Sequence, residues 1–379
     1  MTNQPKVPAD EEAKIEEKIA VATPATMMWW KFRKHKAAVI STVFLIFMYL
    51  LAIFCEFVSP SVPDATSARY MSAPPSTIRL VDAEGQWHAP FVYLTEMSRD
   101  PETRRAIYTE NTGVRYPIKF FTKGPAYKFW GLWETDIHLF GLGVEDEDQR
   151  IMLLGADRVG RDMLTMTVYG ARISLSIGLI GVALSLGMGI VIGGISGFYG
   201  GAIDNFIQRV IEFIRSIPHI PLWMALSAAL PLEWPVLKVY FAISMILSLT
   251  GWTSMARTVR GRFLAMREED FILSARLTGS SEGRIILVHM VPSFLSYIIA
   301  ILTLAVPYMI LSETSLSFIG LGLRAPAVSW GVLLAEAQNV RSIALTPWVF
   351  WPAVAVITTV LAFNFLGDGL RDAADPYAR

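Results

Sequence analysis

The sequence predicts an all-α polytopic membrane protein: six transmembrane helices, with an α/β-like insert between the first two. Three observations carry that expectation. Hydrophobic residues make up 53% of the 379-residue chain and charged residues only 17%, against about a quarter charged in soluble domains. Apolar runs recur at lengths near the roughly 20 helical residues that a bilayer core of about 30 Å requires. Arginine and lysine crowd the connections on one side of those runs and are sparse on the other.

The N-terminal tail, 1–36, opens with Glu11, Glu12, Glu16 and Glu17 interleaved with lysines. It is too polar for a cleavable signal peptide and reads as a solvated segment. The aromatic and basic patch Trp29-Trp30-Lys31-Phe32-Arg33-Lys34-His35-Lys36 follows, as expected where a first span enters from the cytoplasm. Span one is placed at 37–58, interrupted only by Glu56 near its end. The insert at 59–150 contains Trp87, Trp130 and Trp133 and reads as short strands and turns, such as Ile78-Arg79-Leu80-Val81 before Asp82-Ala83-Glu84-Gly85. Its acidic end, 145–148, is a solvated run by composition; the competing reading makes the insert a small lid for an external partner.

The rest of the chain, 151–379, holds five further spans. Span two at 173–198 has no charged residue and carries Gly189, Gly193 and Gly197. Glycines four residues apart let a second helix approach closely, so they are read as a packing seam. Span three at 217–232 is short and contains Pro218, Pro221 and Pro231; it is expected to borrow residues from the amphipathic stretch before it. Spans four, five and six are placed at 239–256, 285–312 and 342–367, with Pro307 expected to bend span five. The connection after span four holds Arg257, Arg260, Arg262, Arg267, Arg276 and Arg284, whereas that after span five holds only Arg324 and Arg341. Both termini and the arginine-rich segment are therefore expected in the cytoplasm and the insert outside, in a multi-pass membrane protein.

Several functions are disfavoured. The 33 basic and 33 acidic residues balance, which argues against nucleic-acid binding. The histidines are scattered without metal-ligand spacing. Cys55 is the only cysteine, so a disulfide within the chain is ruled out. A phosphate-cradling Gly-x-x-x-x-Gly-Lys-Ser/Thr loop is absent. The chain is therefore expected to be no enzyme and to hold no cofactor; if ATP drives it, another chain binds the nucleotide.

Residues 268–278 predict a short helix with Glu268, Glu269 and Asp270 at its start and Gly279 at its stop. The run Phe271-Ile-Leu-Ser-Ala-Arg-Leu-Thr-Gly279, followed by His289-Met-Val-Pro292, resembles the cytoplasmic EAA motif of ABC importer permeases. More narrowly, it is similar to permeases of the dipeptide/oligopeptide/nickel family. It departs in having Leu273 at a position often acidic, Ser274 for an alanine, and Val291 before Pro292. Three further blocks fit the same resemblance. They are 154–162 with Tyr169-Gly-Ala-Arg-Ile-Ser-Leu175; Gly197-Phe-Tyr-Gly-Gly201 with Asp204, Arg209 and Ser216-Ile-Pro218; and Leu316-Ser-Phe-Ile-Gly-Leu-Gly322, Ser329-Trp-Gly331 and 363–372. The last block, with Asp375-Pro376, resembles the C-type member of a permease pair.

The resemblance implies a type I ABC importer permease fold and an ATP-driven, binding-protein-dependent importer of the bacterial inner membrane. This chain would form half of the pathway for peptides, nickel chelates or oligosaccharides. The implied partners are a second homologous permease, two ATPase subunits that use the ATP, a periplasmic solute-binding protein and the lipid bilayer. Phe271, Ala275, Arg276 and Gly279 would dock the ATPase, with the 256–286 segment as the coupling loop. Whether the single arginines touch that partner or only set topology is open at this level. Arg209, Glu212 and Arg215 are spaced to pair with one another. Glu313 near the outer end of span five has two readings, a pathway or gate residue and a group that fixes the adjoining Ser-Leu-Ser-Phe turn. An ion-coupled secondary transporter is the alternative of a different class, and the lack of ionisable residues within spans two, four and six disfavours it.

Overall fold

The computed structural model describes residues 24–102, 106–144 and 149–374. The acidic tail at 1–20, the acidic run at 145–148 and Asp375-Pro376 lie outside the described residues. Helix α1 (Pro24–Lys34) turns at His35, whose Nδ1 accepts the Ala38 N–H at 3.1 Å and so caps α2 (Lys36–Ile53). Span one thus stops five residues short of its expected end. The reason is Arg172, whose guanidinium donates to the carbonyls of Ala52 and Ile53, both at 3.0 Å. A break at Phe54 follows, and then one short turn, α3 (Cys55–Val58).

The insert is built from β-hairpins, not from an α/β arrangement. Strands β1 (Arg79–Val81), β2 (Trp87–Val92) and β5 (Tyr116–Pro117) form one antiparallel sheet. Strands β3 (Thr95–Arg99) and β4 (Ala106–Glu110) form a second; β6 (Lys119–Phe129) and β7 (Trp133–Gly141) form a long third hairpin. The only helical turn among its described residues is a 3₁₀ turn at Ala68–Tyr70. Gly85, Gly113 and Gly131 lie in the turns that join β1 to β2, β4 to β5 and β6 to β7.

Helix α4 (Met163–Tyr199) is 37 residues long, about 55 Å at 1.5 Å per residue. It starts ten residues before the expected span because Asp162 caps it, accepting the Leu164 and Thr165 N–H groups. Then come α5 (Gly201–Ser216), α6 (His219–Ala228), α7 (Val236–Met266) and α8 (Asp270–Leu277). After α8 the chain bends through a π-helical stretch at Ile285–Met290 into α9 (Leu295–Phe318). Pro292 has no N–H and crowds the preceding turn, which shifts the start of span five to α9. Pro307 lies inside α9 without ending it. Helices α10 (Trp330–Ala335), α11 (Val340–Leu345) and α12 (Trp351–Ala374) complete the fold.

Among the described residues, five helices are long and apolar enough to cross a membrane: α2, α4, α7, Tyr297–Phe318 of α9, and Pro347–Ala374 around α12. The third expected span is not one helix. Ile217 is extended (φ −86°, ψ 127°) because the residue before a proline is excluded from helical backbone. The break leaves α6 with 10 residues, about 15 Å. Yet α4 and α7 run parallel, with Gly181 near Ser248 and Gly197 near Arg260. The chain between them must therefore return over the same height. It does so by climbing α7 in two pieces, Asp204 at Arg260, Arg215 at Ser254 and Trp223 at Thr250.

The α4–α7 seam is the most extensive helix contact among the described residues. A Cβ added at Gly193 would lie 2.4 Å from the Ala256 carbonyl oxygen; at Gly197 it would lie 2.7 Å from the Arg260 carbonyl oxygen. At Gly189 it would lie 2.5 Å from the Met255 Cβ. The glycines are thus packing residues, as their spacing suggested. Gly193→Val is expected to destabilise the protein by about 1–3 kcal/mol, the usual cost of overpacking against backbone. Gly187→Ala, where nothing lies within 4 Å, should leave thermal unfolding in detergent unchanged or raise it slightly. Equal melting of the two variants would contradict the seam.

Candidate functional site

The arginine-rich segment 256–286 is a loop only in part. Its first residues complete α7, which continues to Met266. Helix α8 then folds back with Asp270 in its first turn, where the helix dipole favours an acid. Ile272 and Ala275 are its buried side, packed with Phe198, Val259, Phe263, Ile285, Met290, Phe294 and Ile298. Its C-terminus is closed by two bonds, Ser280 N–H to the Ala275 carbonyl at 3.1 Å and Gly279 N–H to the Arg276 carbonyl at 3.0 Å. This is the Schellman arrangement, which requires left-handed backbone at the residue after the cap. Gly279 supplies it with φ +77°, and a Cβ there would meet nothing within 4 Å.

The opposite side of α8 is apolar and open: Phe271 is 44%, Leu273 41% and Leu277 89% exposed. Of the four residues expected to dock a partner, Phe271, Arg276 and Gly279 lie on the exposed side. Ala275 does not. It is buried against its own chain, because residues 272 and 275 share the inward face at helical spacing. Its small side chain lets the helix sit close. Leu277, absent from the expected set, is the most exposed apolar side chain of the helix; a leucine one turn beyond Leu273 was the available signal.

The six arginines divide by partner. Arg260 makes a two-pronged pair with Asp204, Nε to Oδ1 and Nη2 to Oδ2, each 2.5 Å, and Asp204 also accepts the Ser196 hydroxyl at 2.5 Å. The Arg260 hydrogen bonds hold the Asp204 carboxyl below the usual carboxylate range. Arg262 stacks 4.3 Å over Tyr297, Arg276 4.9 Å over Phe198, and Arg267 pairs with Glu268 at 3.3 Å. Arg257 and Arg284 are exposed, without an ion pair or ring contact among the described residues. The expected trio on α5 is only half present. Arg209 pairs with Glu212 at 2.8 Å, while Arg215 reaches Ser254 at 3.0 Å.

Glu313 is fully buried in α9. Its Oε1 accepts the hydroxyls of Ser317 and Ser329, both at 2.8 Å, and its Oε2 that of Ser174 at 3.4 Å. Each serine spends its one proton on the carboxyl group and accepts a backbone N–H with its oxygen. Ser317 takes Leu323 N–H at 3.0 Å, Ser329 takes Val332 N–H at 3.2 Å, and Ser174 takes Trp330 N–H at 3.1 Å. One carboxyl group thereby ties α4, α9, the 319–329 connection and the start of α10 together. That geometry organises packing and exposes no carboxylate to a passage.

A second polar node joins the spans to the insert. Glu56 accepts from both terminal nitrogens of Arg172, with Nη1 to Oε1 at 2.5 Å, and from Trp130 N–H at 3.2 Å. The Trp130 ring lies 4.3 Å from the guanidinium. Sequence reasoning noted Glu56 and Arg172 separately and missed the pair. The available signal was that an acid at the end of an apolar span needs a cation, and Arg172 is the base at the start of span two.

Asp204→Ala strands the half-buried Arg260 and is expected to lower stability by about 1–3 kcal/mol. Adding Arg260→Met should recover most of that loss. Thermal unfolding of the wild type, both single variants and the double variant reads the coupling; strictly additive losses would contradict the pair.

Comparison with known proteins matches this geometry to a family. Residues 189–379 match the family described as binding-protein-dependent transport system inner membrane component. Residues 23–75 match the N-terminal TM domain of oligopeptide transport permease C. The chain is 37% identical over 226 residues to the oligopeptide transport system permease protein OppC of Bacillus subtilis (strain 168), covering 59% of this chain and 72% of the relative. It is 39% identical over 227 residues to the dipeptide transport system permease protein DppC of the same organism, covering 59% and 68%. With OppC of Haemophilus influenzae, identity is 34% over 267 residues, covering 70% and 83%. The chain belongs to the family of inner membrane components of binding-protein-dependent transport systems, and it is a membrane permease subunit.

Proposed function

We propose that this permease forms half of the translocation pathway for peptides in an ATP-driven importer, alongside a second homologous permease, two ATPase subunits and an external solute-binding protein. The peptide assignment rests on the oligopeptide and dipeptide permeases to which the chain is similar. ATP hydrolysis falls to the partners because the sequence has no phosphate-cradling loop. The arginine distribution puts both termini, α5 and α8 in the cytoplasm and the insert outside.

The observation that carries the mechanism is the two-sidedness of α8. Its inner face is buried on α4, α7 and α9, and its outer face presents Phe271, Leu273 and Leu277. A short helix fixed from behind and apolar in front transmits displacement from an ATPase groove to the spans. Phe271, Leu277, Arg276 and the turn at Gly279 form the docking face, and Ala275 seats the helix from below. Glu313 acts through packing, by holding the 319–329 connection, and not as a solute contact.

Leu277→Asp should release the ATPase subunits on co-purification and reduce ATP-driven uptake at least tenfold in proteoliposomes, with unchanged thermal unfolding of the permease. Gly279→Val should impair uptake while the ATPases still hydrolyse ATP. Its cause is the φ strain, about 1 kcal/mol, plus a side chain intruding on open space. Wild-type uptake in both variants would contradict the docking face.

A further inference from the structure

The β6–β7 hairpin of the insert runs along the end of span one toward the membrane. Its contacts descend in order. His138 Nδ1 donates to the Ser59 carbonyl at 2.5 Å, and the Phe121 ring lies 6.0 Å from Phe57. Phe129 stacks on Phe54 at 6.0 Å, and at the tip Trp130 Nε1 donates to the Ile53 carbonyl at 3.0 Å. Ile53 is the last residue of the apolar span Lys36–Ile53. The tip is therefore held at the edge of the hydrocarbon layer, whichever way the chain is oriented.

The tip sequence is Phe129-Trp130-Gly131-Leu132-Trp133, with Trp130 51%, Leu132 72% and Trp133 66% exposed. Such a cluster is unfavourable in water and typical of the headgroup level, where tryptophans concentrate. Trp130 also holds a left-handed backbone, φ +51°, which costs a non-glycine residue roughly 1 kcal/mol or more. Its bonds to Glu56 and Ile53 keep it there. Between hairpin and span runs a groove of about 590 Å³ lined almost wholly by apolar side chains, among them Phe47, Leu50, Phe54, Phe129 and Leu139. That groove continues the exposed apolar stripe of α2, which includes Val43 (64%) and Phe47 (55%).

We infer that the β6–β7 hairpin is a lipid-binding anchor: its tip dips into the adjacent leaflet, and a phospholipid acyl chain lies in the groove between it and span one. The occupant follows from continuity. The groove opens along the exposed apolar side of span one and has no charged lining residue. Through Trp130, Glu56 and Arg172 the anchor fastens the insert to spans one and two, so the insert is fixed at a set height above the bilayer.

Nitroxide labels at Leu132→Cys and Trp133→Cys test this in the complete transporter, reconstituted in phosphatidylethanolamine–phosphatidylglycerol liposomes. Cys55 is fully buried, and protein without an introduced cysteine controls for its labelling. Collisions with oxygen report lipid, and collisions with a water-soluble nickel chelate report water. Both tip labels should match a label at Val43→Cys, rich in oxygen collisions and poor in nickel collisions, whereas Asn111→Cys in the β4 turn should show the reverse. Nickel accessibility at the tip equal to that at Asn111 would overturn the anchor by placing the hairpin in water. Low accessibility to both reagents would overturn it in favour of a protein subunit covering the tip.

Discussion

The close approach of α4 and α7 is the constraint on which the rest of the molecule depends. In lipid, apolar side chains gain little by leaving one apolar environment for another, so helices are held by contact distance and by satisfied polar groups. Gly189, Gly193 and Gly197 remove the side chains that would keep the two backbones apart. The Asp204–Arg260 pair then locks the same seam at the end nearest α8, with Ser196 of α4 completing the carboxylate. Because the two helices run parallel, everything between them must climb back beside α7, which is why α5 and α6 lie where they do.

Three consequences follow from that seam. The last turns of α7 are held firmly enough to project α8 as a supported lever. The π-helical stretch at Ile285–Met290 supplies part of the floor beneath α8, so the slackened helix before Pro292 has a structural use. On the opposite end, Glu313 with its three serines and Glu56 with Arg172 organise the connections that leave the membrane. Buried acids in this protein are joints: each gathers donors from separate elements, and satisfied networks of this kind define a single arrangement of the helices.

Much of the fold was legible from apolar run length, because a bilayer imposes a length on every crossing. The glycine spacing gave the seam correctly, and Glu268, Glu269, Asp270 and Gly279 bracketed α8 to within a few residues. Hidden features were those set by partners far apart in sequence. The end of span one depends on Arg172, 119 residues after Ile53, and nothing local to residues 50–58 reveals it. Ala275 was assigned outward because motif membership does not say which side of a helix faces home; helical spacing from Ile272 does. The arginines looked alike as a charge cluster, yet Arg260, Arg262, Arg267 and Arg276 have partners in their own chain, which leaves Arg257 and Arg284 the freest to meet another subunit. Short strands and turns in the insert are legible at 78–85, but an α/β-like class is not what forms, because only cross-strand pairing shows that the runs close into hairpins.

The central claim is that α8 moves as one body with α4 and α7 when an ATPase drives it. Electron–electron distance measurement between nitroxides at Asp270→Cys on α8, outside the docking face, and Val191→Cys on α4, both exposed, tests this in the assembled transporter in nanodiscs. The account predicts one narrow distance distribution, identical in the nucleotide-free and ATP-trapped states. A broad distribution, or a shift of several ångströms on trapping ATP, would show α8 hinging on its own and contradict it.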